Sequence, residues 1–176
     1  MAQSKLFIIT GISGSGKTTI ARQLLERGEV AFDSKINPNL YQFVDAKGNR
    51  ALSVKLHDEE WRSVYQWSLN ETELEALLQK HQDATRIFLC GRANLSQYWD
   101  RADKVFLLKV DRPTLLERLN SESRDNLFAK DRTTQDKLLS ELDVVQDRII
   151  EKGAITIDAK LSVDDIIGEI FARIAE

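Results

Sequence analysis

Leu6-Phe7-Ile8-Ile9-Thr10-Gly11-Ile12-Ser13-Gly14-Ser15-Gly16-Lys17-Thr18-Thr19 is the stretch on which the fold turns. Leu6 to Thr10 is short, apolar and stopped by a glycine, which predicts a buried strand. From Lys17 to about Arg27, the apolar residues Ile20, Ala21, Leu24 and Leu25 recur at helical spacing, and Gly28 ends the run. Between strand and helix, Gly11 to Thr18 matches G-x-x-x-x-G-K-[ST] in full. Each part of that pattern has a physical task. The glycines let successive backbone N–H groups turn inward onto phosphate oxygens. The helix beginning near Lys17 adds its N-terminal dipole and free N–H groups. Lys17 carries a point charge to the β- and γ-phosphates, and Thr18 offers a hydroxyl oxygen to Mg²⁺. Gly11, Ile12, Ser13, Gly14, Ser15, Gly16, Lys17, Thr18 and Thr19 are therefore the expected contacts of a nucleoside triphosphate.

Working outward, strands and helices alternate. Val30-Ala31-Phe32, Arg86 to Cys90, Lys104 to Val110 and Ala154 to Ile157 read as further strands. Helices are expected over 58–69, from Asn70 onward, after Asp111-Arg112-Pro113, over a long stretch after residue 133, and from Val163 to the end. Asn70 with Glu73 resembles a capping box, and Pro113 suits a first helical turn. Residues 34–56 predict a loop-rich insert with a possible hairpin. The strands lack period-two polarity, so a parallel sheet covered on both faces is expected. Right-handed crossovers then bring all strand C-terminal ends to one edge, where ligands bind. Gly11, Asp33, Gly91, Asp111 and Asp158 fall at that edge.

Composition narrows the function classes. The 176 residues suit one domain, and the net charge of −3 argues against a general nucleic-acid binder. The single cysteine, Cys90, allows no internal disulfide and suits a reducing cytosol. Leu6 to Ile9 is too short to be a signal peptide core or a membrane span. A cytoplasmic protein with a small-molecule partner and no membrane association is expected.

Gly11 to Thr19, Asp33, Gly91-Arg92 and the Arg-rich stretch from Arg118 to Arg132 together resemble small P-loop kinases of the shikimate, gluconate and adenylate kinase group. That resemblance implies a three-layer α/β sandwich with a five-stranded parallel sheet, an acceptor-binding insert at about 34–85 and a short lid at about 121–133. It implies ATP with Mg²⁺ as cofactor. Arg124, Lys130 and Arg132 would close over the transferring phosphoryl group, with Arg124 the first choice for neutralising transition-state charge. Arg118 would lie against the nucleotide base, or else sit on a plain helix surface. Arg92 would contact the acceptor or the γ-phosphate. Asp33, after the second strand, would accept the acceptor's proton and reach Mg²⁺; a turn-forming aspartate is the plainer reading.

One departure from similar nucleotide kinases is clear: the acid often found before the glycine after the third strand is here Cys90. Magnesium assistance then falls to Asp33 or Asp111, and Cys90 reads as a small buried residue. The insert has few arginines, which tilts the acceptor toward a neutral hydroxyl compound. Tyr41, Phe43, Trp61, Tyr65 and Trp67 are candidate pocket walls, with Trp61 and Tyr65 read first as core. A nucleoside monophosphate kinase, a polynucleotide-end kinase and a non-catalytic ATP-binding regulator remain as alternatives. Asp45 to Gly48 imitates the D-x-x-G of GTPases, but no N-K-x-D motif accompanies it.

Overall fold

In the computed structural model, residues 4–55, 58–91, 93–121 and 132–176 are described. Strands β1 (Lys5–Thr10), β2 (Val30–Phe32), β5 (Arg86–Cys90), β6 (Lys104–Lys109) and β7 (Ile155–Asp158) form one sheet in the order β2-β5-β1-β6-β7. All its pairings are parallel. A separate antiparallel pair joins β3 (Tyr41–Val44) to β4 (Gln66–Leu69). The helices are α1 (Lys17–Glu26), α2 (Glu59–Val64), α3 (Glu71–Lys80), α4 (Arg112–Asn120), α5 (Arg132–Glu151) and α6 (Val163–Ala175), with a 3₁₀ segment over Ala93–Arg101.

Alternation along β1 divides the core in two. Phe7 and Ile9 face Ile20 and Leu24 of α1 and Ile166, Ile167 and Ile170 of α6. Leu6 and Ile8 face the other side, with Leu74 of α3, Leu95 and Tyr98 of the 3₁₀ segment, and Ile149 of α5. Both faces of the sheet are therefore covered, as near-continuous apolar strands require. The C-terminal helix buries the stripe its spacing predicts, with Val163, Phe171 and Ile174 packed at the margin.

The sequence's stop and start signals act as expected. Glu29 N bonds to Leu24 O at 3.0 Å and Gly28 N to Leu25 O at 2.9 Å, a Schellman end to α1. Asn70 caps α3 by accepting from Glu73 N at 3.3 Å. Asp111 caps α4 by accepting from Thr114 N at 2.9 Å. Each cap satisfies a donor that the helix itself leaves open.

One element departs from expectation. The helix foreseen over 58–69 stops at Val64, and Tyr65 is already extended at φ −107°, ψ 130°. Residues 66–69 are a strand instead, with Phe43 opposite Trp67 and Tyr41 opposite Leu69. Trp67 stacks on Tyr41 with ring centroids 5.8 Å apart and touches Phe43 at 4.7 Å. Those cross-strand aromatic contacts outweigh a helical spacing that Trp61, Val64, Tyr65 and Ser68 also satisfied.

Candidate functional site

Because all five strands are parallel, the segments after β1, β2, β5, β6 and β7 share one edge of the sheet. The glycine-rich loop sits there, between β1 and α1. Gly14 and Gly16 have φ of +94° and +106°, a region closed to side chains at little cost only in glycine. A β-carbon on Gly14 would also lie 2.8 Å from Leu115 Cδ1. The loop is thus bent by its glycines and seated on α4.

Helix α1 begins at Gly16 without a side-chain cap and without an acid in its first turn. Among the described helix starts, α2, α3, α4 and α6 are each capped by a side chain, from Asp58, Asn70, Asp111 and Ser162. At α1 the first-turn N–H groups are left to an anion from outside, which is where a phosphate belongs. Lys17 Nζ donates to Gly11 O at 2.8 Å and Ile12 O at 2.9 Å, and approaches Ser15 Oγ at 3.5 Å. A cation is therefore held over the loop's own rim.

Thr18 and Asp33 meet. Thr18 Oγ1 donates to the Asp33 carboxylate, 3.1 Å from Oδ1 and 3.2 Å from Oδ2. Asp33 is 3% exposed, and its Oδ1 also accepts from Lys35 N at 2.8 Å. The turn reading of Asp33 is thus present too: Ile36 N and Asn37 N both bond to its carbonyl. The same residue folds the chain after β2 and aims a carboxylate at the helix that opens the loop. Thr18 hydroxyl and Asp33 carboxylate form a hard oxygen pair, the donor type Mg²⁺ takes alongside phosphates and water. Asp111, the other candidate, is engaged as the α4 cap and paired with Lys160 at 3.1 Å.

At the end of β5, Cys90 is fully buried, as its reading as a core residue requires. Burial pushes its thiol well up, the Asp33 charge adds to this, and Lys17 opposes it. Gly91 is where the insert touches the sheet edge. A β-carbon there would overlap the Tyr41 hydroxyl and lie 2.6 Å from Leu95 Cδ1. Tyr41 Oη is 3.5 Å from Cys90 O, and burial, then Cys90 and Asp33, raise its pKa. Trp61 is buried as read from sequence, while Tyr65 is half-buried and stacked on it at 5.1 Å. Trp67, expected as a pocket wall, belongs to the same ring cluster.

Arg118 is half-buried on α4, and its guanidinium donates to two backbone carbonyls, Ser15 O at 3.1 Å and Ala159 O at 2.6 Å. It is not a plain surface residue. Arg132, expected in a lid, opens α5 and is exposed. Arg92, Arg124 and Lys130 lie outside the described residues. Two contributors were missed from the sequence. Tyr98 Oη donates to Glu71 at 2.8 Å, tying the 3₁₀ segment to α3. Gln146, buried on α5, brackets Val110 with two hydrogen bonds. A polar residue at helical spacing with Leu138, Leu142 and Ile149 was the available signal for the second.

A family model described as an AAA domain matches residues 8–137. The chain belongs to the AAA domain family. Within it, this AAA domain carries the P-loop kinase-like fold. Shikimate kinase from Acinetobacter baumannii in complex with shikimate is similar, at 17% identity and TM-score 0.62, over 98% of this chain and 93% of that one. Deoxyadenosine kinase from M. mycoides with bound dATP is similar at 13% identity and TM-score 0.54, over 97% and 100%. At such identities the likeness is one of fold. No curated protein matches this AAA domain in sequence. No described helix is long and apolar enough to cross a membrane.

Proposed function

We propose that the chain is a cytoplasmic kinase that transfers the γ-phosphate of ATP to a hydroxyl group of a small molecule. The observation that carries this reading is the Thr18–Asp33 contact beside an uncapped helix and a glycine-rich loop. The donor half follows from the loop. Backbone N–H groups and Lys17 hold the β- and γ-phosphates, and Thr18 with Asp33 would hold Mg²⁺, which neutralises charge on those phosphates. The acceptor half follows from Asp33. An alcohol must lose its proton as its oxygen attacks phosphorus, and a buried carboxylate at the strand edge can take it. Thr18 lies at hydrogen-bonding distance from both carboxylate oxygens and Lys35 N bonds to Oδ1 alone, so Oδ2 is the less engaged oxygen and the better placed to accept. Residues 34–85 would supply the acceptor pocket within a single domain, and Arg92, Arg124, Lys130 and Arg132 the cations that meet the transferring group.

Support for a hydroxyl acceptor, rather than a monophosphate, comes from residues 34–85, whose only arginines are Arg50 and Arg62, and from the Asp33 carboxylate at the strand edge. The test pairs two substitutions with a phosphorylation assay over a broad metabolite panel. Lys17→Ala is expected to remove Mg-ATP binding. Asp33→Asn is expected to keep ATP binding and to lower transfer by roughly 10²–10⁴-fold, the usual weight of a general base. Full turnover by Asp33→Asn would remove Asp33 from the chemistry. Unchanged ATP affinity in Lys17→Ala would overturn the whole reading. Transfer only to monophosphates or to oligonucleotide ends would replace the acceptor class, and transfer to nothing would favour an ATP-binding regulator.

A further inference from the structure

The loop's carbonyls matter as much as its amides. In a planar trans peptide, C=O and N–H point in opposite directions. Whatever holds a loop carbonyl outward therefore aims the next residue's N–H inward. Lys17 performs this service for Gly11 O and Ile12 O. Its ammonium is also the group expected to reach the phosphates, so its three donors would be shared between the loop and a bound nucleotide. Ser15 O is held differently, by Arg118 Nη1 at 3.1 Å. The peptide it fixes is Ser15–Gly16, whose N–H belongs to the residue that starts α1.

Arg118 does not act from a loose surface. On α4, Leu115, Arg118 and Leu119 stand at i, i+3 and i+4, one face of the helix. A β-carbon on Gly14 would lie 2.8 Å from Leu115 and 3.4 Å from Leu119, and one on Gly16 would lie 3.8 Å from Arg118 Nη1. The whole face abuts the loop. Arg118 Nη2 then reaches Ala159 O at 2.6 Å, and Ala159 N in turn bonds to Lys109 O at 2.8 Å, the last residue of β6. One planar guanidinium thus spans the loop after β1 and the loop after β7. Lysine, with a single nitrogen, lacks that fork.

We propose that Arg118 is a positioning residue of the phosphate site: it holds the Ser15 carbonyl outward, aims the Gly16 amide at the phosphates, and braces the loop against Ala159. This rests on the triphosphate-binding reading above, and it differs from a base-stacking role in one measurable respect. Its effect is exerted on the phosphates, so it persists with a ligand that has no base.

The experiment is calorimetric titration of Mg-ATP and of Mg-tripolyphosphate into the wild-type protein, Arg118→Gln and Arg118→Lys, with backbone NMR of Gly16. In Arg118→Gln, both ligands are expected to bind roughly ten- to hundredfold more weakly, by a similar factor, as loss of a charged hydrogen bond predicts. The ligand-induced shift of the Gly16 amide proton is expected to shrink while other amides keep theirs, a selectivity that general destabilisation does not produce. Arg118→Lys, which keeps the charge but on a single donor nitrogen, is expected to fall between and serves if Arg118→Gln folds poorly. Weakened ATP binding with intact tripolyphosphate binding would overturn the proposal while leaving the proposed function standing. Failure of the wild-type protein to bind either ligand would overturn both.

Discussion

Gln146→Met is a test of how the edge of the sheet is held. Gln146 is 2% exposed on α5, and its side chain reads the backbone of Val110. Val110 N donates to Gln146 Oε1 at 2.9 Å, and Gln146 Nε2 donates to Val110 O at 3.1 Å. Val110 follows β6 and precedes Asp111, the cap of α4, so this amide fixes the junction from which α4 reaches the glycine-rich loop. Methionine is close to glutamine in length and leaves little cavity, but it strands one buried N–H and one buried C=O. At about 1–3 kcal/mol for each of the two orphaned groups, the expected loss is about 2–6 kcal/mol. For a chain of this size, at about 2–4 °C per kcal/mol, that corresponds to a melting point lowered by roughly 4–24 °C. Urea unfolding of both proteins, with the slope m unchanged, measures it. Gln146→Glu adds a pH signature. Burial raises the folded-state pKa of the new carboxyl above its unfolded value of about 4.3, and only the protonated form can donate to Val110 O. Its stability relative to wild type is therefore highest below that value and falls as pH rises through the folded-state pKa. A Gln146→Met protein within about 0.5 kcal/mol of wild type, the usual range for an inconsequential substitution, would refute the reasoning.

Gly91→Ala is expected to destabilise by about 1–3 kcal/mol through overpacking against the Tyr41 hydroxyl and Leu95. Adding Tyr41→Phe, which removes the nearest atom, should restore part of that loss in a double-mutant cycle; strict additivity would show the two do not touch. Gly14→Ala combines a left-handed φ with a clash on Leu115, so Mg-ATP affinity should drop sharply while the circular dichroism spectrum keeps its shape; wild-type affinity would contradict the loop geometry. The Thr114 hydrogen bonds, then Lys160, hold the Asp111 carboxyl down at about 2, below its unfolded value of about 3.9. A depressed carboxyl contributes stability above its unfolded pKa and loses it as pH falls through the folded one. Melting curves of Asp111→Asn should therefore decline less than wild type between about pH 4 and 2, and parallel declines would exclude Asp111 as a source of acid sensitivity.

Much of the fold was legible because its signals are local. Gly11 to Thr18, the capping pair Asn70/Glu73, the helix opening at Asp111-Arg112-Pro113 and the apolar strands are each carried by residues close together in sequence. What stayed hidden depends on distant partners. Gln66 to Leu69 became a strand because β3 supplied Tyr41 and Phe43 across the ladder. The Thr18–Asp33 meeting was foreshadowed by two motifs at one sheet edge, but the contact itself is tertiary. Arg118 could be assigned to the nucleotide site from the resemblance to small P-loop kinases. Its two carbonyl partners could not, since one lies 103 residues away and the other 41. Gln146 escaped notice because a buried amide on an apolar stripe looks like an interruption until the backbone it serves is known.

The central place of β1 has a consequence for how the molecule is born. Its partners are strands made much later: Leu6 N bonds to Asp103, 97 residues on, and the Ser15 carbonyl waits for Arg118. Long-range pairing of this kind makes folding slow and exposes apolar edges while it is incomplete. On the ribosome, β1 and the glycine-rich loop emerge before either neighbouring strand and must stay unpaired until β5 has been made. A nascent chain stopped short of Arg118 already carries every residue of the phosphate-binding sequence and both strands that flank β1, yet lacks the guanidinium that ties the loop to Ala159.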